Sequence, residues 1–123
     1  KIAFSGSKGG ATNIYVIDVE GGNATLVVAP SGESLLIDSG NVGAGAVRDA
    51  SRIVSAAKNA GLSRIDHAIT THWHGDHYGG LAEVAARIPI ADFVDHGANI
   101  QPTEATTAFL TYPRMQAGGA LGQ

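Results

Sequence analysis

Residues 71–80, THWHGDHYGG, hold three of the chain's five histidines within six residues, and an aspartate lies beside the last of these three. The preceding segment, IDHAIT at residues 65–70, has the apolar residues of a buried strand, and LAEVAARI at residues 81–88 has those of a helix. Metal-binding side chain types therefore lie where a strand leads into a helix, which is where α/β sheets bind ligands.

Imidazole nitrogen and carboxylate oxygen are ligand atoms for Zn²⁺ and similar first-row metals. His72 and His74 are separated by one residue, so both side chains can approach a single metal ion. Asp76 and His77 come one turn later, which predicts a second metal nearby. Two metals about 3.5–4 Å apart can bridge a hydroxide and polarise the bond that it attacks. We therefore predict two Zn²⁺ ions, with Mn²⁺ or Fe as alternatives, and Asp76 as a catalytic residue as well as a ligand.

Length and composition limit the class of protein. The 123 residues suffice for one globular domain, with 44% hydrophobic and 15% charged residues. A net charge of −3 without a cluster of Lys or Arg gives no nucleic-acid signature. No apolar run approaches the ~20 residues of a membrane span. The chain begins with Lys1 and lacks cysteine, which only weakly favours a secreted or periplasmic location and leaves the compartment open.

Apolar runs and turn signals predict the order of elements. Strands are expected in an antiparallel meander at residues 13–19, 24–30 and 34–38. Two helices are expected, at residues 47–60 ending before Gly61 and at residues 79–87, with strands at 62–71 and 90–94. Residues 1–12 are expected to be a loose arm, 13–97 the core, and 98–123 a weakly determined helix or loop.

Several other side chains have less specific interpretations. His67 is interpreted as structural, and Trp73 either covers the metals or packs in the core. Arg48, Arg52 and Lys58 are expected on the solvent face of their helix. The glycine-rich loop at residues 39–46 lacks the lysine of a phosphate-binding P-loop, so we expect a mobile loop at the edge of the site.

The motif His72-x-His74-x-Asp76-His77 resembles the signature of the metallo-β-lactamase superfamily. Residues 36–40, LIDSG, resemble that family's strand-end aspartate motif. Residues 15–24, YVIDVEGGNA, resemble the opening strand of the branch that includes the soluble domain of DNA-uptake competence proteins. The resemblance covers about residues 13–97.

The resemblance implies an α/β (α+β) fold, the first half of an αββα sandwich, with a mixed sheet and helices on one face. The chain would be a single domain and an N-terminal fragment of a larger one. His72 and His74 match ligands of the first metal, and Asp76 and His77 match ligands of the second. Asp38 matches a residue that supports the site. His96 either lines the site or is a loop histidine.

The expected function is a metal-dependent hydrolase that uses a metal-bound hydroxide on an ester-type bond of a small-molecule or ester substrate. Phosphoester, lactone, thioester and β-lactam bonds all suit this chemistry, and the competence-like opening strand favours phosphoesters. The alternative is a non-catalytic, truncated half-domain that binds metal weakly and acts through assembly with a partner chain. Four ligands divided between two metals leave each with too few for a complete zinc site. An uncovered sheet would favour a homodimer or an exchange of elements between chains.

Overall fold

The computed structural model describes residues 2–4 and 10–95. These residues form six strands and three helices, in the order β1 Ile2–Phe4, β2 Asn13–Val16, β3 Thr25–Val28, β4 Ser34–Ile37, α1 Ala44–Asn59, β5 Ile65–Thr70, α2 Gly75–Tyr78, α3 Leu81–Arg87 and β6 Ile90–Asp95. The strands form one sheet in which neighbours in the chain are also neighbours in space.

The sheet is mixed. Strands β1 to β4 form an antiparallel meander, and β4, β5 and β6 run parallel to one another. Parallel neighbours need crossover connections, and α1 and the pair α2–α3 supply them. The predicted α/β class and mixed sheet are confirmed.

The loose arm predicted for residues 1–12 is wrong in part, because residues 2–4 form β1. This strand pairs antiparallel with β2, with Ile2 opposite Val16 and Phe4 opposite Ile14. An edge strand at this position satisfies backbone N–H and C=O groups that β2 would otherwise leave open. His96 and the helix or loop predicted for residues 98–123 lie outside the described residues.

One face of the sheet packs against the helices. A row of paired residues crosses it from β3 to β6, and every side chain in the row is at most 2% exposed: Leu26, Leu36, Ala68 and Phe93. Helices α1 and α3 contact each other above this row. The helices therefore lie on one face, as predicted, and the core lies between them and the sheet.

The opposite face of the sheet carries a second row of side chains, which is largely apolar: Val16, Thr25, Ile37, Ile69 and Val94. The two outer members are 47% and 41% exposed. None of the three helices of the described residues covers this face. Its role in a homodimer or an exchange of elements stays a prediction.

Helix α1 begins three residues earlier than predicted and ends at Asn59, one residue before the predicted end, with Gly61 just after the helix as predicted. Gly61 has a φ of 84°, and the N–H of Leu62 donates to the carbonyl of Ala57 at 3.0 Å, which closes the last turn. No helix of the described residues combines the length and the apolar character that a membrane crossing requires.

Candidate metal centre

The histidine stretch begins at the carboxyl end of β5, beside the carboxyl end of its parallel neighbour β4. The N–H of Asp38 donates to the carbonyl of Ile69 at 2.8 Å, so the two chains stay paired just beyond β4. Asp38 and Thr71 therefore leave the sheet side by side, at the edge where α/β sheets bind ligands.

The carboxylate of Asp38 joins these two chain segments. It is 3% exposed and accepts hydrogen bonds from the N–H of Thr71 at 2.8 Å, from the Thr71 hydroxyl at 2.8 Å, and from Nδ1 of His77 at 2.8 Å. Asp38 also has a φ of 63°, a left-handed conformation that non-glycine residues seldom adopt. Such strain persists only where the surroundings over-determine it, and it concentrates at functional sites.

These hydrogen bonds define the ring nitrogens that face the site. An ionised carboxylate only accepts, so Nδ1 of His77 carries the proton that Asp38 binds. The Thr71 hydroxyl donates its single proton to Asp38. It therefore accepts the hydrogen bond from Nδ1 of His72 at 2.9 Å. Both histidines therefore keep the Nε2 lone pair available, as a metal ligand requires.

The other candidate ligands, His74 and Asp76, lie beside these two histidines. The ring centroid of His72 lies 4.7 Å from that of His74 and 4.1 Å from that of His77. Nε2 of His77 lies 3.8 Å from a carboxylate oxygen of Asp76. This pair offers an imidazole nitrogen and a carboxylate oxygen, which are donor types that would hold zinc. The structure thus places the four predicted ligands in neighbouring pairs: His72 beside His74, His72 beside His77, and His77 beside Asp76.

The donor chemistry fits a divalent metal such as zinc, and the ligand shell is partial. Within residues 10–95 no group of three or more His, Asp or Glu side chains is arranged to hold a metal ion. The close pair of Asp76 and His77, with Nδ1 of His77 held by a carboxylate, is the arrangement of a ligand and its outer partner. The described residues therefore supply part of a site.

His72 is held in the form that can bind a metal. Burial lowers its pKa from the usual 6.5, and the neighbouring His77 and His74 lower it further. Removing a ring from water disfavours its charged form, and two nearby imidazoles disfavour it again. The neutral form is the one that offers a lone pair.

Backbone contacts hold α2 between two loops that approach it closely. The N–H of Ser39 donates to the carbonyl of His77 at 2.7 Å, and the N–H of Gly79 donates to the carbonyl of Gly40 at 2.9 Å. On the other side, the N–H of Asn23 donates to the carbonyl of Asp76 at 3.2 Å.

Glycines permit these approaches. A Cβ on Gly22 would overlap the backbone of Asp76, and a Cβ on Gly79 would overlap that of Asn41. Side chains at these two positions are therefore excluded, and the backbone that carries Asp76 and His77 stays close to both loops.

Trp73 anchors the histidine stretch to the hydrophobic core. Its side chain is 5% exposed within the hydrophobic core, and its ring centroid lies 6.0 Å from that of Tyr78. Because Trp73 points into the core, the flanking His72 and His74 are left on the outer side. Of the two interpretations of Trp73, the packing role is the one that the structure supports.

The sequence interpretation missed a buried carboxylate in α1. Asp49 is 0% exposed, and its two oxygens accept from Nε of Arg48 at 2.7 Å and from the N–H of Asn41 at 2.8 Å. Burial raises its pKa, but the hydrogen bonds from Arg48 and Asn41 outweigh this and leave the pKa below its usual value. Asp49 lies three residues after Ala46 and four before Ile53, which places it on the apolar stripe of the helix. This spacing is the sequence signal that indicates its burial.

Two of the three cations of α1, Arg48 and Arg52, make contacts at the helix surface, with side chains that are 36% and 38% exposed. Arg48 donates to the carbonyl of Val19 at 3.2 Å and to the carboxylate of Glu20 at 3.1 Å, and Arg52 donates to the carbonyl of Asp18 at 2.8 Å. Through ion pairs with Glu20, the two arginines connect α1 to the turn after β2.

His67 lies away from the site, on the face of the sheet that no described helix covers. Nε2 lies 2.8 Å from a carboxylate oxygen of Glu33, and Nδ1 lies 3.4 Å from one of Asp92. These two acceptors raise the pKa of His67, Glu33 first and Asp92 second. The contacts agree with the structural interpretation.

Comparison with known proteins identifies relatives of several kinds. Sequence matches include an atrochrysone carboxyl ACP thioesterase from a Cryptosporiopsis species, which is 32% identical over 55% of this chain and 20% of its own length. Another atrochrysone carboxyl ACP thioesterase, from Passalora fulva, is 36% identical over 66% of this chain and 22% of its own length. A beta-lactamase-like protein 2 homolog from Caenorhabditis elegans is 31% identical over 54% of this chain and 22% of its own length.

Solved structures with the same fold include Rm3 metallo-beta-lactamase, at a TM-score of 0.50 and 28% identity over 66% of this chain and 28% of that one. A subclass B3 metallo-beta-lactamase from a soil metagenome library, MEM-A1, aligns with a TM-score of 0.50 and 24% identity over 69% of this chain and 29% of that one. This fold implies metal ions, usually zinc.

The chain spans about a fifth of the length of the curated relatives named above and under a third of the two solved structures. Its relatives have hydrolase names, thioesterase and lactamase among them. The sequence model of the metallo-beta-lactamase superfamily matches residues 10–107, which include every strand of the sheet except β1. The fold, the histidine stretch and this match agree, and the chain belongs to the metallo-beta-lactamase superfamily.

Proposed function

We propose that this chain forms the metal-binding part of a metal-dependent hydrolase that cleaves an ester-type bond. The observation that carries the proposal is the convergence of His72, His74, Asp76 and His77 at the end of β5, with Asp38 bound to Nδ1 of His77. Bound divalent ions would polarise the scissile bond and supply a nucleophile at neutral pH. His72 and His74 would hold one ion, and Asp76 and His77 a second.

The protein's own residues prepare the site for binding. Asp38 fixes the tautomer and the orientation of His77 directly and those of His72 through the Thr71 hydroxyl. An outer carboxylate of this kind raises the basicity of a histidine ligand. Asp76 brings negative charge beside Nε2 of His77, where it would offset the charge of a cation.

Among the four ester-type bonds, the named relatives favour a thioester, since two of the three curated relatives are thioesterases. The competence-like opening strand favours a phosphoester. Both bonds place a carbonyl or phosphoryl oxygen where a Lewis acid can polarise it. The net charge of −3 and the lack of a basic cluster favour a small substrate over a nucleic acid.

The experiment combines metal analysis with a panel of substrates. The full-length protein is purified without chelator, its metal content is measured, and hydrolysis of a thioester, a phosphodiester, a lactone and a β-lactam is followed. We expect about two Zn²⁺-type ions per chain. Chelation should remove activity, and His74→Ala and Asp76→Ala should each lower it by more than about a hundredfold, because loss of even an outer partner of a metal ligand costs about 10–100-fold.

His67→Ala serves as the matched control, because it also removes a histidine, from β5 but away from the site. It should retain metal and activity. Full activity in His74→Ala or Asp76→Ala would contradict the proposal. An intact protein that binds no metal would instead favour the alternative, a non-catalytic half-domain that acts by assembly with a partner chain.

A further inference from the structure

Asp49 has no place in the ligand set, yet its side chain is 0% exposed and its carboxylate is enclosed by polar contacts. Its carboxylate is fully buried and accepts three hydrogen bonds from Asn41 and Arg48, at 2.7–3.0 Å. A buried charge is costly unless it is paired and hydrogen-bonded, so a carboxylate with these partners constrains each of them.

The contacts of Asp49 lead to the loop that holds α2. The N–H of Asn41 binds Asp49, and a Cβ on the preceding Gly40 would lie 2.5 Å from the same carboxylate oxygen. The carbonyl of Gly40 in turn accepts from the N–H of Gly79, and the carbonyl of Ser39 accepts from the N–H of Gly80. Asp49 therefore fixes one side of a backbone segment whose other side is bonded to the end of α2.

The opposite flank of α2 is tied to the same network. Nδ2 of Asn41 and Nη2 of Arg48 both donate to the carbonyl of Val19, at 2.7 Å and 3.2 Å. Val19 leads into the turn whose Asn23 donates to the carbonyl of Asp76. The Asp49 network thus reaches α2 through two loops, one at each end of the helix.

We propose that Asp49 is a positioning residue for the metal centre, which sets the placement of α2 and so of Asp76 and His77. It acts through loop 38–41 and the turn at residues 19–23 without contacting metal or substrate. That α2 carries metal ligands rests on the proposed function. The hydrogen bonds that position α2 do not depend on it.

The test compares Asp49→Asn with Asp66→Asn. The asparagine side chain at position 49 can adopt two orientations. In one its NH₂ group faces the guanidinium of Arg48, and in the other it faces the N–H of Asn41, so in both a donor meets a donor. Asp66 is a matched control, since it is also hydrogen-bonded and paired with Arg64, but at the far end of β5. Asn41→Ala is a milder second variant that keeps the backbone contact and loses the side-chain contacts with Asp49 and Val19.

Amide hydrogen exchange in the metal-free, full-length protein is the first measurement. We expect Asp49→Asn to accelerate exchange at Gly79 and Gly80 by at least about tenfold relative to Ala68 in β5, and Asn41→Ala to do so less. Asp66→Asn should not change this ratio. Zn²⁺ affinity is the second measurement, and Asp49→Asn should weaken it by about tenfold, the lower end of the loss for an outer partner of a metal ligand, because Asp49 acts on the ligands only through the backbone.

Equal acceleration at Gly79, Gly80 and Ala68 would show that Asp49 only stabilises the fold, and would overturn the inference. Unchanged exchange and Zn²⁺ affinity in folded Asp49→Asn would overturn it as well. If the wild-type protein binds no Zn²⁺, the proposed function fails on its own, and the exchange ratio alone decides whether Asp49 positions α2.

Discussion

The carboxylate of Asp38 lies 2.8 Å from Nδ1 of His77, although 39 positions separate the two residues along the chain. This contact connects the end of β4 with α2 and selects the Nε2 lone pair of His77 for the site. Asp38→Asn keeps the shape and tolerates the left-handed backbone. Its NH₂ group can then meet Nδ1 and force the proton onto Nε2, or its oxygen can turn to His77 and leave the backbone N–H of Thr71 without an acceptor.

We therefore expect Asp38→Asn to lower Zn²⁺ affinity by about 10–100-fold. Competition with a chromogenic chelator measures this. Asp92→Asn is the matched control, because Asp92 also faces Nδ1 of a histidine, His67, but away from the site. Equal Zn²⁺ affinity in Asp38→Asn and the wild-type protein would show that Asp38 does not orient a ligand.

Gly79→Ala tests the close packing of α2 against the loop after β4. Gly79 has an ordinary helical φ of −61°, so the added methyl group is excluded by space and not by conformation. Its Cβ would overlap the backbone of Asn41, which cannot rotate away as a side chain can. We expect a loss of about 1–3 kcal/mol or more in the free energy of unfolding.

Denaturant titration of Gly79→Ala measures this loss. Gly10→Ala is the control, since a Cβ there meets nothing within 4 Å and the variant should unfold like the wild-type protein. A Gly79→Ala protein of wild-type stability would mean that the loop and α2 can separate without cost.

Trp73→Ala should destabilise the protein by about 3–5 kcal/mol, the usual cost of removing a buried large aromatic side chain. Trp73→Phe retains most of the apolar area and should cost clearly less. Thermal unfolding of both variants compares them. If the two variants melt together near the wild-type temperature, Trp73 does not anchor the histidine stretch to the core.

Stability should depend on pH through His67. Its partners Glu33 and Asp92 raise the folded-state pKa above the usual 6.5. The folded protein therefore holds this proton more tightly than the unfolded chain. The resulting stabilisation is fully present below pH ~6.5 and is lost as the pH rises through the raised folded-state pKa.

His67→Gln should remove this dependence. The side chain of His67 is 40% exposed, so solvent and salt limit the effect to about 1 kcal/mol or less. Unfolding free energies of both proteins, measured between pH 5 and 9 at low salt, give the difference. A difference that grows with rising pH would have the opposite sign and would refute the assignment.

The local elements could be predicted because their signals lie in consecutive residues. The spacing of His72, His74, Asp76 and His77 is specific by itself, and the apolar run before it identifies β5. The meander and the end of α1 at Gly61 also depend on turns of a few residues. The sequence predicts a helix at residues 79–87, where the chain forms α3, but it does not predict the short helix α2, which Gly79 and Gly80 separate from α3.

The amino-acid sequence by itself determined the types of ligand and their place at the end of a strand, because spacing along the chain is a local property. Only the tertiary structure decided that Asp38 orients His77 and that Asp49 is buried beneath the loop that holds α2. These contacts join segments that are distant along the chain, and their geometry depends on the pairing of β4 with β5 and on the packing of α1. A carboxylate looks the same in sequence whether it faces water or a buried donor, and the fold determines which.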